Sequence, residues 1–278
     1  MNGVIVMKKT VITIICVLLA LVGVIYHICL SLQPQRNDVD IIYSDPNLPA
    51  SGLRIAVLGD VHIGEDEQDY VEFSQIPDEV RLAKPDLIVF VGDYTAHPRD
   101  ITDMGAHRER ILKMLNSVAP TPFTAVLGNY ETWSRDVDWY RAGIENGIPF
   151  MLNEVQIIGT RAGQVCVRGL GDAYTKRFRY VEFPISCDGL PKLSITHDPA
   201  GAFDSRMKGL IIAGHTHCGQ VSFPFIGPLW VPTRAPREAY CGLYQDDQRT
   251  LFVTSGIGTS VLPIRFGTKA EWDLLEVH

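Results

Sequence analysis

Five short apolar runs stop abruptly at Asp, Asn or His, and this pattern constrains the fold more than any other feature of the 278-residue chain. Arg54-Ile-Ala-Val-Leu-Gly59 ends at Asp60, and Asp86-Leu-Ile-Val-Phe-Val-Gly92 ends at Asp93. Phe123-Thr-Ala-Val-Leu-Gly128 ends at Asn129, Lys192-Leu-Ser-Ile-Thr196 at His197, and Leu210-Ile-Ile-Ala-Gly214 at His215. Continuous apolar runs of this length suit strands buried on both faces. Helix-like segments lie between them. One is predicted to open at Pro77 and to stop before Pro85, because proline suits the first helical position and disfavours helix at the residue before it. Residues 105–118 carry Ile111, Leu112, Met114, Leu115 and Val118 near one-face spacing, and residues 135–146 run to Gly147. Alternating strand and helix predicts an α/β fold.

The second half is richer in strand. Residues 149–152, 155–158, 164–167, 250–254 and 270–277 all read as extended. No linker interrupts 53–278, which reads as one catalytic domain. Residues 33–52, polar and Pro-rich apart from a short apolar patch, read as a tether.

Residues 1–32 read as a retained signal anchor. From Val11 to Leu32 the only clearly polar side chains are Thr13, His27 and Ser31. Those residues, at about 1.5 Å each, reach across a bilayer core of about 30 Å. No Ala-x-Ala cleavage pattern follows, which argues against a cleaved signal peptide. Lys8 and Lys9 precede the span, whereas Arg36 follows it beside Asp38 and Asp40. The positive-inside rule then places the N-terminus in the cytoplasm and the domain outside, as a single-pass protein of the inner (cytoplasmic) membrane with a periplasmic or extracellular domain.

A formal net charge of −7, without a long basic run, argues against a nucleic-acid groove. An acidic chain acting on phosphate esters needs local positive charge from elsewhere, such as metal ions. The strand ends offer candidates. In α/β sheets ligands gather at the carboxyl ends of strands. Here those ends carry Asp60 and His62, Asp93, Asn129, His197, and the pair His215 and His217. Each can donate O or N to a divalent cation. Any one of them alone is more often an ordinary turn residue. Five in succession, each at the end of an apolar run and four of them preceded by glycine, point to a metal centre.

The segments GDVHIG, GDY, GNYE, THDP and GHTHCGQ resemble, in order, the signature of calcineurin-like metallophosphoesterases over nearly all of 53–278. The closing GLY, TSGIGTS and LPIRFG segments are similar to the membrane-associated bacterial branch of that family. The resemblance implies a β-sandwich flanked by helices, in a four-layer α/β/β/α arrangement, and a site for two divalent ions (Mn, Fe or Zn). Asp60, His62, Asp93 and His217 would hold one ion. Asp93, Asn129, His197 and His215 would hold the other, with Asp93 bridging. Two cations about 3.5–4 Å apart can clamp a phosphoryl oxygen and acidify a water. Asn129, Tyr130 and His197 would carry catalytic roles. Tyr130 is a departure, since the family usually has His there as proton donor or transition-state stabiliser. Its hydroxyl would contact a phosphoryl oxygen, donate a proton if its pKa were lowered, or only shape the pocket. Glu131 reads as a support for the ligands rather than as one of them.

The implied activity is hydrolysis of a phosphomonoester, phosphodiester or pyrophosphate in a phosphorylated small molecule or lipid, with a lipid-linked UDP-sugar pyrophosphate as the sharpest version. The competing reading is a metal-binding scaffold with little catalysis. Arg234, Arg237 and Arg265 are candidates for phosphate contact or, equally, surface arginines. Trp133, Trp139 and Trp230 are expected in the core rather than along a groove. Cys166, Cys187, Cys218 and Cys241 lack C-x-x-C spacing, so neither a zinc cluster nor a dense disulfide framework is expected. One disulfide is left open. Cys166 is expected as a buried strand residue and Cys218 as structural.

Overall fold

A computed structural model describes residues 2–278, with side chains from Thr13 onward apart from Ala20. The side chains of Lys8 and Lys9, on which the expected orientation depends, lie outside the described residues. The first element is helix α1 (Asn2–Ser31). Among the described residues it is the one helix long and apolar enough to cross a membrane, over Thr13–Ser31 with mean hydropathy 2.6, and that stretch is not buried against the domain except at its last residue, Ser31.

Next come β1 (Gln35–Ile41), β2 (Leu53–Leu58), α2 (Glu67–Ala83), β3 (Leu87–Phe90), α3 (Met104–Leu115), β4 (Phe123–Ala125), α4 (Asn129–Trp133) and α5 (Asp136–Asn146). The second half holds β5 (Glu154–Thr160), β6 (Gly163–Gly169), β7 (Lys192–Ile195), β8 (Gly209–Ala213), β9 (Ser222–Phe223), β10 (Gly227–Pro228), β11 (Gly242–Gln245), β12 (Arg249–Val253) and β13 (Glu271–Val277). One sheet has the order β1-β13-β2-β3-β4 and the other β11-β12-β8-β7-β6-β5.

The two sheets face each other, as the alternation of side chains along their strands requires. Ile55 and Val57 of β2 and Val89 of β3 point into the space between the sheets, against Val167, Leu193, Ile195 and Ile212. Their neighbours Ala56, Leu58, Ile88 and Phe90 point the other way, onto Phe73, Ile76 and Val80 of α2 and Ile111, Leu112 and Leu115 of α3. The outer face of the second sheet (Ile211, Ala213, Leu251, Val253) packs on Leu170, Ala202, Met207, Ala235 and Ala239. The fold is the expected α/β sandwich, although single 3-10 turns such as 199–203 and 237–239, rather than long helices, cover that outer face.

Three local expectations are corrected. Residues 35–41, read as part of a tether, form an edge strand paired in parallel with β13 from Gln35↔Glu271 to Ile41↔Val277. A polar, charged strand is what an exposed sheet edge favours, and by composition it looks like linker. Helix α2 begins at Glu67, so Pro77 lies inside it instead of at its start. The buried stripe Tyr70, Phe73, Ile76, Pro77, Val80 and Ala83 carries the helix through the proline. Finally, the cysteines form two disulfides, Cys166–Cys187 and Cys218–Cys241, with Cα atoms 5.7 and 4.7 Å apart. Their separations of 21 and 23 residues give no spacing signal, because the fold and not the local sequence brings them together.

Candidate metal centre

Parallel pairing of β2 with β3 and of β3 with β4 in one sheet, and of β7 with β8 in the other, brings their carboxyl ends to one edge of the sandwich. The residues just beyond those ends converge. Ligand atoms of Asp60, His62 and His217 all lie within 4.8 Å of one another, and so do those of Asp93, His197 and His215. Asp93 stands between the two groups. Its Oδ2 is 3.7 Å from His62 Nε2 and 3.3 Å from His197 Nε2. Asn129 joins the second group, with Oδ1 3.1 Å from His197 Nε2. The structure thus brings all seven sequence-predicted metal residues together.

The backbone at these turns is strained. Asp60 (φ 49°), His62 (φ 53°), Asp93 (φ 52°), His215 (φ 70°) and His217 (φ 50°) are all left-handed. Asp and His tolerate this region better than most residues, but each instance still costs on the order of 1–3 kcal/mol and persists only where the surroundings enforce it. Glu131 is one enforcer. Its buried carboxylate accepts from the backbone N–H groups of Asp93, Tyr94, Thr95 and Gly128 at 2.8–3.1 Å, which clamps the Asp93 turn. Two glycines permit the close approach. A Cβ on Gly128 would lie 2.2 Å from Asp93 Oδ1, and one on Gly214 would lie 2.4 Å from Asp60 Oδ2.

Further hydrogen bonds orient the ligands. Both Asp60 oxygens accept from the His215 N–H at 3.0 and 2.9 Å, and Asp93 Oδ1 accepts from the Tyr130 N–H at 2.9 Å. His197 Nδ1 donates to Val91 O (2.7 Å) and His215 Nε2 donates to Pro232 O (2.8 Å). Each therefore turns its other nitrogen toward the cluster, as a metal ligand does.

The electrostatics fit a cation. Burial pushes Asp60 up to about 7 and His62 down to about 4. Burial also opposes charge on Asp93 and His197, yet each draws the other strongly toward its ionised form. With both histidines neutral, His197 Nε2 and His215 Nδ1 would face each other at 3.2 Å with no proton to share. His62 Nε2 and His217 Nε2 lie 3.0 Å apart, and the buried His62 Nδ1 has no hydrogen-bond partner among the described residues. Carboxylates and imidazole nitrogens crowded without solvent call for positive charge between them, and this mixture of N and O donors suits a divalent metal.

Four members of the cluster, Asp93, Asn129, His215 and His217, form the floor of a cavity of about 410 Å³, with Asp60, His62 and His197 behind them. Tyr130 lines it, and its hydroxyl lies 2.8 Å from Ser260 Oγ. Burial raises the Tyr130 pKa, against the lowered value that proton donation would need. None of the three candidate arginines lines the cavity. Arg265 is fully buried, bonded to the carbonyls of Ser255, Gly256, Gly258 and Lys269, and stands 3.3 Å behind His217 Nδ1. It braces a ligand instead of meeting a phosphate. Arg237 is exposed and donates to Ile226 O, and Arg234 is exposed. Of the three tryptophans expected in the core, only Trp139 is there. Trp133 and Trp230 line the cavity. The sequence reading missed Tyr174, Leu229, Ser260, Val261, Leu262 and Ile264 of the lining. They sit on loops without strand periodicity, and the TSGIGTS and LPIRFG segments, which contain Ser260, Leu262 and Ile264, were the signals near them.

Comparison with known proteins agrees with this geometry. The chain is 24% identical over 278 residues to a transmembrane protein with metallophosphoesterase domain from Danio rerio, covering 93% of this chain and 61% of that relative. It is 28% identical over 240 residues to the phosphodiesterase YaeI of Escherichia coli (strain K12), covering 82% of this chain and 83% of the relative. It is 27% identical over 231 residues to the uncharacterized metallophosphoesterase YkuE of Bacillus subtilis (strain 168), covering 79% and 77%. Residues 53–219, which carry all seven converging side chains, match the calcineurin-like phosphoesterase family, and the chain belongs to that family of metal-dependent phosphoester hydrolases.

Proposed function

We propose that this protein is a membrane-anchored hydrolase that uses two divalent cations to cleave a phosphodiester or pyrophosphate carrying an apolar group. The observation that carries this reading is the contrast within the cavity. Its floor is the Asp93, Asn129, His215 and His217 face of the cluster, whereas Trp133, Tyr174, Leu229, Trp230, Val261 and Leu262 stand around it. No Lys or Arg is present among the described residues that line it. A small dianionic monoester would have no side-chain cation to meet its extra charge. A singly charged phosphoryl centre with an apolar substituent suits these walls, and a lipid-linked UDP-sugar pyrophosphate is one such substrate. YaeI, called a phosphodiesterase, is a relative in keeping with this choice.

Asp60, His62, Asp93 and His217 would hold one cation, and Asp93, Asn129, His197 and His215 the other. Manganese, iron or zinc would each accept these donors. When bound, such a pair supplies Lewis acidity at phosphoryl oxygens and acidifies water near neutral pH. The chain's own residues do the rest. Asp93 sets the spacing of the two halves, held by Glu131. The Tyr130 and Ser260 hydroxyls offer donors at the cavity wall beside the cluster. The aromatic walls exclude water from the scissile bond. The replacement of the family histidine by Tyr130 favours substrates with good leaving groups, which need little protonation.

The outward orientation of the domain draws support from the two disulfides, since such bonds persist in oxidising compartments. Protease added to sealed right-side-out vesicles should digest the domain. Complete protection would reverse the orientation. For the activity, the full chain in detergent with Mn²⁺ should hydrolyse bis-p-nitrophenyl phosphate faster than p-nitrophenyl phosphate. Bound metal with turnover of neither ester would favour the scaffold reading.

A further inference from the structure

The join between α1 and the domain has almost no slack. The helix ends at Ser31 and β1 starts at Gln35. Ser31 is buried, and its carbonyl accepts from the Ala270 N–H at 2.8 Å. The His27 ring, one turn back, meets Phe266 edge-on at 5.8 Å, and Phe266 meets Phe223 of β9 at 5.2 Å. The Ser222 N–H donates to Phe266 O at 2.7 Å. A continuous path of contacts therefore ties the end of the apolar helix to the β9–β10 hairpin.

That hairpin is apolar where it is most exposed. Phe225 at its tip is 109% exposed, and Ile226, Leu229 and Trp230 are each more than half exposed. Across the cavity mouth, Val261 is 85% exposed and Leu262 more than half. Contiguous exposed apolar side chains of this kind mark an interaction surface. The backbone sharpens the point. Phe225 (φ 68°) and Val261 (φ 65°) both sit in the left-handed region, which is unfavourable for bulky and β-branched residues. Two separate loops thus adopt costly conformations that hold an apolar side chain out into water. The return on that cost lies outside the chain.

We infer that the hairpin 222–230 and the loop 260–264 insert into the interfacial layer of the membrane that holds α1, and that the cavity takes its phosphoester from a lipid in that leaflet. This inference rests on the reading of α1 as a membrane span and of the cluster as a phosphoesterase centre. A spanning helix puts His27–Ser31 near the headgroups, and three residues cannot carry the domain away from them. Trp230 is of the residue type enriched at that depth. Leu229, Trp230, Val261 and Leu262 belong both to the exposed patch and to the cavity lining. The mouth therefore opens where a lipid headgroup would be presented, and the acyl chains stay in the bilayer.

The test uses the full chain in phosphatidylcholine vesicles with brominated acyl chains. Bromolipid should quench a tryptophan signal that Trp230→Phe removes, and Phe225→Asp with Ile226→Asp should abolish that quenching. The same double variant should hydrolyse soluble bis-p-nitrophenyl phosphate at about the wild-type rate, because neither side chain lines the cavity. Its turnover of vesicle-embedded hexadecyl p-nitrophenyl phosphate should fall at least about tenfold. The quenching reads docking whether or not ester is cleaved, so a wild type that is quenched but inactive would count against the phosphoesterase reading alone. Absent quenching of Trp230, or equal quenching in the double variant, would overturn the docking. Absent quenching together with a detergent-stable dimer lost in the double variant would assign the patch to a second copy instead.

Discussion

The floor and the rim of the cavity are built by opposite means. The floor belongs to a cluster of residues just beyond strand ends in two facing sheets, and Asp60, Asp93, His197, His215 and His217 of that cluster are each no more than 5% exposed. The strained backbone at Asp93 is fixed by Glu131, and those at Asp60, His215 and His217 follow strands packed in the two sheets. The rim is made of Leu229, Trp230, Val261 and Leu262 on two loops, all largely exposed. A floor this rigid suits chemistry that needs fixed charge, and a loop-borne rim suits the choice of what reaches it.

The largest expected effect breaks the floor. Asp93→Asn removes the carboxylate between the two ligand groups while keeping its shape, and hydrolysis should fall by at least about a thousandfold, roughly 4 kcal/mol of barrier. A variant with wild-type turnover would show that the floor does not depend on Asp93. At the boundary of floor and rim stands Tyr130, whose ring packs on His62 at 4.6 Å and whose hydroxyl reaches Ser260. Tyr130→Phe should lower kcat/KM about ten- to a hundredfold, roughly 1.4–2.7 kcal/mol, if that hydroxyl meets the transition state. Unchanged kcat/KM on both aryl and alkyl esters would reassign Tyr130 to pocket shape and move it to the rim.

The smallest effect lies in neither region and serves as a control. Burial and the nearby Glu271 push Asp273 of β13 up to about 7, while Asn37 donates to its Oδ1 at 2.7 Å. Its pKa in the unfolded chain is about 3.9. The folded carboxyl therefore keeps a proton that the unfolded one loses, and its contribution to stability is complete below about pH 4 and lost as pH rises toward 7. Asp273→Asn should flatten the fall in Tm between pH 5 and pH 8, an effect of a few kcal/mol at most, with hydrolysis unchanged. A pH dependence identical to wild type would show that Asp273 titrates normally.

The same division governs what could be read from the sequence. The floor was legible because each ligand ends an apolar run, so local pattern and tertiary position coincide. The α/β class followed from the same runs, whereas the sandwich followed only from the family resemblance of the segments that end them. The rim was not legible, since Leu229, Val261 and Leu262 look like ordinary loop residues until the hairpin folds over the cluster. Strand β1 was hidden because a polar edge strand and a tether share a composition, and only pairing with β13 tells them apart. The start of α2 was obscured by Pro77, whose usual meaning the buried stripe overrides. Arg265 looked like a phosphate ligand because nothing local shows that its guanidinium will be enclosed by backbone carbonyls. Both disulfides depend on contacts between distant segments and have no local signature.

The central claim is that the strand-end cluster holds a pair of cations with Asp93 between them. Metal content of the full chain, stripped in detergent and then dialysed against Mn²⁺, tests it most directly. The account expects about two ions per chain in wild type and about one each in His217→Ala and His215→Ala, as a bridged pair with separate terminal ligands requires. A wild type that binds no more than one ion, or an Asp93→Asn variant that keeps the wild-type complement, would contradict it.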